Sequence, residues 1–262
     1  MNFTQLDKAI QLLVSDVRQN FSIAIDTPDG HIRIDAAKKR KAASLAKIPI
    51  LIEAIRLAEE NKLSLEKLIF IEKAAMVGGS GVINYLTDSN IHSYQNLLEL
   101  MIIVSDNTAS NLLLDTVGMD NINKLAQILN CRETNMERKF MDQQAQQEGH
   151  ENYTSAQDMI TFLKLISENN DFLSGESRKQ MLRILLNQQF KNKLAKNLKD
   201  KDQIKIYHKS GELHGVEHEA AIYNYKNKKM EVAILSEGWT RNGIGQEYIA
   251  EIGKLLINYF SK

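Results

Sequence analysis

Between residues 3 and 17 the apolar side chains Phe3, Leu6, Ile10, Leu13, Val14 and Val17 recur at the spacing of one helical face, with polar residues between them. This pattern predicts an amphipathic helix at the start of the chain. The run Phe-Ser-Ile-Ala-Ile, a turn containing Asp-Gly, and His-Ile-Arg-Ile follow, and they read as a β-hairpin. From about residue 43 to residue 198 the helical period dominates. Leu45, Ile48, Leu51, Ile52 and Ile55 form one stripe, and Leu97, Leu98, Met101 and Ile102 form another. After a Lys- and Asn-rich stretch at 191–201, strand-like runs return at 204–208, 220–225 and 230–236, before a last amphipathic helix that ends at Phe260. The expected fold class is therefore α/β plus all-α: residues 1–43 and 200–262 make a discontinuous α/β domain, and 44–199 a mostly helical one. Residues 142–152 are polar and aperiodic, a loop of the kind that often carries function.

Composition narrows the partners. The chain has 262 residues, 43% of them hydrophobic, with 33 basic residues balancing 33 acidic ones. A sizeable core is expected, and no net field draws nucleic acid or an anionic membrane. A small-molecule partner and a monomer are expected. The single cysteine, Cys131, excludes an intrachain disulfide and a Cys-based zinc site. The N-terminal segment is interrupted by Asp7 and Asp16 and lacks the charged and apolar regions of a secretion signal, and no stretch reaches membrane-span length. A cytoplasmic protein is expected, unless the chain was trimmed from a secreted precursor. The basic run Lys38, Lys39, Arg40, Lys41 is expected to be a solvated edge.

The candidate chemistry begins at Ser44-Leu45-Ala46-Lys47, at the start of the first long middle helix. A three-residue step puts the lysine amine one turn on, facing the serine. A serine at a helix N-terminus also offers its backbone N–H to a developing oxyanion. Ser-x-x-Lys is common in a chain rich in both residues, and it recurs at Ser64-Leu65-Glu66-Lys67; for either copy taken alone, a helix cap followed by a solvated lysine accounts for it. Two further elements favour Ser44. Ser105-Asp106-Asn107 lies between two helical runs, and Lys209-Ser210-Gly211 follows the strand at 204–208.

In this order, Ser-x-x-Lys, Ser-Asp-Asn and Lys-Ser-Gly resemble the signature set of class A β-lactamases and penicillin-binding proteins. The resemblance covers nearly the whole chain. It implies a β-lactamase/transpeptidase-like fold, with an antiparallel sheet built from both chain ends, flanked by terminal helices and carrying a helical insert, and an active site at the junction. It also implies roles. Ser44 is the nucleophile, Lys47 the base and Ser105 the relay to the leaving nitrogen. Asn107 holds the substrate amide, and Lys209 and Ser210 take a substrate carboxylate. The backbone N–H groups of Ser44 and Glu212 form the oxyanion hole. Gly78-Gly79-Ser80-Gly81 resembles the family's structural Gly-Ser-Gly turn.

The chain departs from class A enzymes where they carry a water-activating glutamate in a Glu-Pro-x-x-Asn context. If Arg138 matches the family's loop arginine, Phe140 stands in the glutamate's place. Glu137, Asp142 and Glu148 are the candidate substitutes. The expected function is serine hydrolysis of β-lactams or related amides. The alternatives are a D,D-carboxypeptidase- or esterase-like hydrolase with slow deacylation, or a non-catalytic ligand-binding homologue. No cofactor is expected. His208, His214 and His218 cluster with Glu217 and Glu219, but strand alternation would send them in different directions, so no metal is expected either.

Overall fold

Helix α1 (Phe3–Leu13) opens the chain, closed at its N-terminus by a capping box in which Asn2 Oδ1 accepts from Gln5 N–H and Gln5 Oε1 accepts from Asn2 N–H. The computed structural model describes residues 1–226 and 228–261. Strands β1 (Phe21–Thr27) and β2 (Gly30–Ile34) form the expected hairpin, followed by the short β3 (Arg40–Lys41) and helix α2 (Lys47–Glu59). Then come β4 (Leu68–Phe70), β5 (Ile91–Ser93), α3 (Tyr94–Ile103), α4 (Asn107–Val117), α5 (Met119–Ile128) and α6 (Gln143–Gln147). Next are β6 (Tyr153–Thr154), α7 (Ala156–Ser167), α8 (Gly175–Leu186), β7 (Lys205–Leu213), β8 (Val216–Tyr225), β9 (Lys228–Glu237) and α9 (Ile244–Phe260).

The main sheet is antiparallel throughout, in the order β2-β1-β9-β8-β7. The two chain ends meet where β1 pairs with β9, from Phe21 opposite Ser236 to Asp26 opposite Glu231. Alternation puts successive side chains on opposite faces, and both faces are buried along β1 and through most of β8 and β9. Ile23, Ile25, Val232 and Ile234 join Leu6, Ile10, Ile249 and Leu256 of the terminal helices in one core. Ala24, Ala220, Ala233 and Leu235 face the larger core built by the inserted helices. Among the described residues no helix is long and apolar enough to cross a membrane.

Several details differ from the expectations. The mostly helical middle is interrupted: between α2 and α3 the described residues form no α-helix, only 3₁₀ turns and the β4–β5 pair. Strands of two or three residues are too short to leave a period in the sequence. The Lys-Ser-Gly element lies inside β7 and not beyond its end, because β7 and β8 continue to a two-residue turn at His214 and Gly215. Polar residues there, His208, Lys209, Ser210, Glu217, His218 and Glu219, broke the apolar pattern although they are buried. Residues 142–152 include the short helix α6, capped by Asp142. Arg40 is no solvated edge either. It is buried, with Nη1 on Glu237 Oε1 at 2.8 Å, Nε on Ser22 Oγ at 3.0 Å and Nη2 on Gln19 O at 3.1 Å.

Candidate active site

Ser44 sits on a 3₁₀ turn, Ala43–Ala46, that leads into α2, so it precedes the α-helix instead of opening it. Ala43 enters the turn at φ +47°, a left-handed conformation that costs a non-glycine residue about 1 kcal/mol or more and is typical of functional sites. Strand β7 packs on this turn. A Cβ at Gly211 would lie 3.2 Å from Ser44 N and 3.3 Å from Leu45 N, so this close approach favours glycine. The two-residue turn makes Leu213 and Val216 the closing pair of the hairpin. Antiparallel alternation then leaves the N–H of Glu212 on the outer edge of β7, the side of Ser44.

Ser105 joins α3 to α4 at φ +56°. Its Oγ donates to Ser44 Oγ at 2.9 Å and accepts from Lys47 Nζ at 3.0 Å and Lys209 Nζ at 3.1 Å. Asp106 caps α4 through Ala109 N–H at 3.0 Å, while its other oxygen accepts from Val82 and Ile83 N–H at 2.7 and 3.0 Å. Gly81, at φ +130°, leaves room for that carboxylate. Asn107 Oδ1 accepts from Lys47 Nζ at 2.8 Å, and its Nδ2 donates to Gly78 O at 3.1 Å. The Gly78–Gly81 turn is thereby tied to the Ser-Asp-Asn element.

Lys47 is fully buried. Its Nζ bonds Ser105 O at 2.7 Å, Ser105 Oγ and Asn107 Oδ1, and among the described residues no hydrogen bond joins it to Ser44 directly. Burial, and then the neighbouring Lys209 charge, hold its amine well below the usual lysine range despite Asp106. Lys209, also fully buried, is brought down to about 7 by burial first and Lys193 second. A buried amine shifted this way can accept a proton near neutrality.

Two cavities flank Ser44. The larger, of about 290 Å³, is lined among others by Ser44, Asn107, Phe140, Glu151 and Glu212. The smaller, of about 150 Å³, is lined by Ser44, Ser80, Ser105, Phe190, Asn192, Ser210 and Glu212. Lys47 and Lys209 line neither: both bond Ser105, which lines the smaller cavity, and Lys47 also bonds Asn107, which lines the larger.

Phe140 is held over Lys47 by α4: Asn111 Oδ1 accepts from Phe140 N–H at 2.8 Å, and its Nδ2 donates to Phe140 O at 3.0 Å. Lys47 Nζ lies 4.7 Å from the centre of the ring. The candidate substitutes for a loop glutamate are engaged elsewhere. Glu137 accepts from Asn135 Nδ2 and Glu151 N–H, Asp142 caps α6, and exposed Glu148 accepts from Gln144 Nε2. None of them lines either cavity. Of the two carboxylates that do, Glu151 pairs with Arg138 Nη2 at 2.6 Å and Glu212 with Lys193 Nζ at 2.6 Å.

The residues of the three motifs are thus brought together, whereas the hydroxyl of exposed Ser64 donates to Glu66 Oε2 at 3.3 Å. The histidines do not converge. His208 Nδ1 meets Glu219 Oε1 at 2.6 Å, His218 Nε2 meets Lys41 O at 2.8 Å, and His214 is exposed at the hairpin turn. Glu217 instead caps α9, accepting from Gly243 and Gln246 N–H at 2.9 and 3.0 Å. Sequence reasoning missed Lys193 and the Glu212 side chain. Lys193 lies in a polar run that reads as solvated, and nothing in its spacing marks it as buried.

The sequence matches the beta-lactamase enzyme family over residues 5–260. No curated protein matches it. Among solved structures, a beta-lactamase from Sphaerobacter thermophilus is 25% identical, with a TM-score of 0.87 over 98% of this chain and 97% of that one. A mutant of PBP-A, described as an acyl-enzyme complex with penicillin G, is 23% identical, with a TM-score of 0.86 over 99% and 97%. An ancestral class A beta-lactamase is 20% identical, with a TM-score of 0.85 over 97% and 99%.

Proposed function

The chain belongs to the beta-lactamase enzyme family, a serine hydrolase of that kind, and we propose that it forms an acyl-enzyme on Ser44 from a β-lactam or related amide and releases it slowly. The observation that carries this reading is the contact chain Ser44 Oγ, Ser105 Oγ, Lys47 Nζ, with steps of 2.9 and 3.0 Å ending on a buried amine of lowered pKa. In the acylation step the two hydroxyls turn from their resting directions, so that Ser44 Oγ–H donates to Ser105 Oγ and Ser105 Oγ–H to the lone pair of a deprotonated Lys47, and the Ser44 proton passes along this line as Oγ attacks the carbonyl carbon. The N–H groups of Ser44 and Glu212 receive the developing oxyanion. As the carbon–nitrogen bond breaks, Lys47 returns the proton through Ser105 to the leaving nitrogen. Ser210 hydrogen-bonds the substrate carboxylate, Lys209 adds its charge from behind Ser105, and Asn107 orients the substrate amide.

Release requires an activated water. With Phe140 over Lys47 and both cavity-lining carboxylates paired, no unengaged carboxylate is at hand among the described residues. This favours a persistent acyl-enzyme, the behaviour of a penicillin-binding or carboxypeptidase-like hydrolase, over fast turnover. PBP-A, a fold relative, has been captured in mutant form as a penicillin G acyl-enzyme.

The test is an intact-mass time course with excess benzylpenicillin, alongside Ser44→Ala, while drug loss is followed in solution. A long-lived adduct of the drug's mass is expected on the wild type, and none on the variant. Hydrolysis or labelling that survives in Ser44→Ala would defeat the mechanism, and rapid drug consumption without an adduct would defeat slow release.

A further inference from the structure

Ser210 and Glu212 are two residues apart on β7, so their side chains share one side of the strand, and both line the 150 Å³ cavity with Ser44 and Ser105. Ser210 is the hydroxyl assigned above to the substrate carboxylate. Glu212 already brings a carboxylate to the same place. Its Oε1 accepts from Lys193 Nζ at 2.6 Å, and the two partners are unequally placed: the Lys193 side chain is 0% exposed and that of Glu212 46%. A buried ammonium needs a counter-ion. The other acid nearby, Glu219, is taken up by His208 Nδ1 at 2.6 Å and Leu194 N–H at 2.5 Å. Glu212 is therefore the direct counter-ion of Lys193, which lies behind it and does not itself line the cavity. Lys193 also acts on Lys209, whose lowered pKa it helps to cause.

We propose that Glu212 is a specificity-determining residue whose carboxylate, held by Lys193, competes with the substrate's own carboxylate for the anion subsite beside Ser210. An anionic substrate enters only by displacing Glu212 from Lys193, and the displaced pair leaves that ammonium to the newcomer. A neutral substrate meets no such competition. The site therefore discriminates against the charge that its serine and lysines would otherwise attract. This inference rests on the acylation of Ser44 proposed above.

The experiment compares acylation rates for benzylpenicillin and its neutral methyl ester, by intact mass, in wild type, Glu212→Gln, Glu212→Ala and Glu212→Asp. The ratio of the two rates cancels any effect on the oxyanion hole, which is shared by both compounds. Glu212→Gln keeps an oxygen for Lys193 but no charge, and should raise the ratio in favour of the acid by about tenfold, the worth of one charge-assisted hydrogen bond. Glu212→Ala should move it in the same direction, and Glu212→Asp should stay near wild type. An unchanged or lower ratio in the Gln and Ala variants, with Ser44 still acylated, would overturn this proposal alone. A wild type that forms no adduct with either compound would overturn the acylation reading and this one with it.

Discussion

At position 140 a phenyl ring occupies the space beside Lys47 in which a water-activating carboxylate would serve. The ring is nearly buried, and its backbone is fixed on both sides by Asn111. A side chain substituted there starts from a defined position next to Lys47 and, with it, the proposed Ser44 acyl-enzyme. Phe140→Glu should therefore shorten the lifetime of the Ser44 adduct, by about a hundredfold if the carboxylate acts as an ordinary general base. Phe140→Leu, which removes the ring but adds no base, should not. Equal lifetimes for the Glu variant and wild type, by intact mass, would mean that water reaches the ester from another side. At this scale the sequence was informative where a motif is contiguous and silent where a side chain matters through distant partners. Ser44, Lys47, Ser105, Asn107, Lys209 and Ser210 could be singled out from three short strings of letters. The pairing of Glu212 with Lys193 joins positions 19 apart that share no motif, and Ala43 in the left-handed region has no signature at all.

The segment carrying Phe140 shows how an aperiodic stretch becomes an ordered element. Arg138 donates from Nε and Nη2 to Glu151 Oε1, at 2.9 and 2.6 Å, with both residues buried. Asn152 Oδ1 accepts from Glu137 and Arg138 N–H at 2.8 and 3.1 Å, and its Nδ2 donates to Arg138 O at 3.0 Å. These bonds cross 13 to 15 residues, so no local period announces them. The same cause shortened the expected strands around the Lys-Ser-Gly element, where buried Lys209, Glu217, His218 and Glu219 read as breaks in an apolar run. Arg138→Ala would leave Glu151 buried without its main partner, at a cost of about 3–5 kcal/mol. The expected outcome is a lower denaturation midpoint and faster amide exchange across 137–152, with the α1–α9 side of the sheet little affected. Unchanged exchange in that segment would show that the asparagine contacts suffice.

On the scale of the whole molecule, the layer arrangement followed from helical patterns at both ends and in the middle, whereas the strand order did not, because β1 joins β9 across 200 residues of intervening chain. That closure bears on the site through His218. Its Nδ1 accepts from Ser236 N–H of β9 at 3.0 Å, so its Nε2 carries the proton and donates to Lys41 O of β3 at 2.8 Å, just ahead of the turn that holds Ser44. The neutral ring thus ties β8, β9 and β3 together. Burial pushes its pKa down from 6.5 to about 4. Between these values the unfolded chain binds a proton that the folded chain refuses, so stability falls as pH is lowered through the window, and the full loss from this group is about 3 kcal/mol. Above pH 6.5 the contribution is fully present. His218→Gln can keep one donor and one acceptor but does not titrate, and its urea-unfolding free energy should depend less on pH between 6.5 and 4 than that of the wild type. Parallel curves for the two proteins would mean that His218 is not the group through which acid loosens the sheet from the turn that holds Ser44.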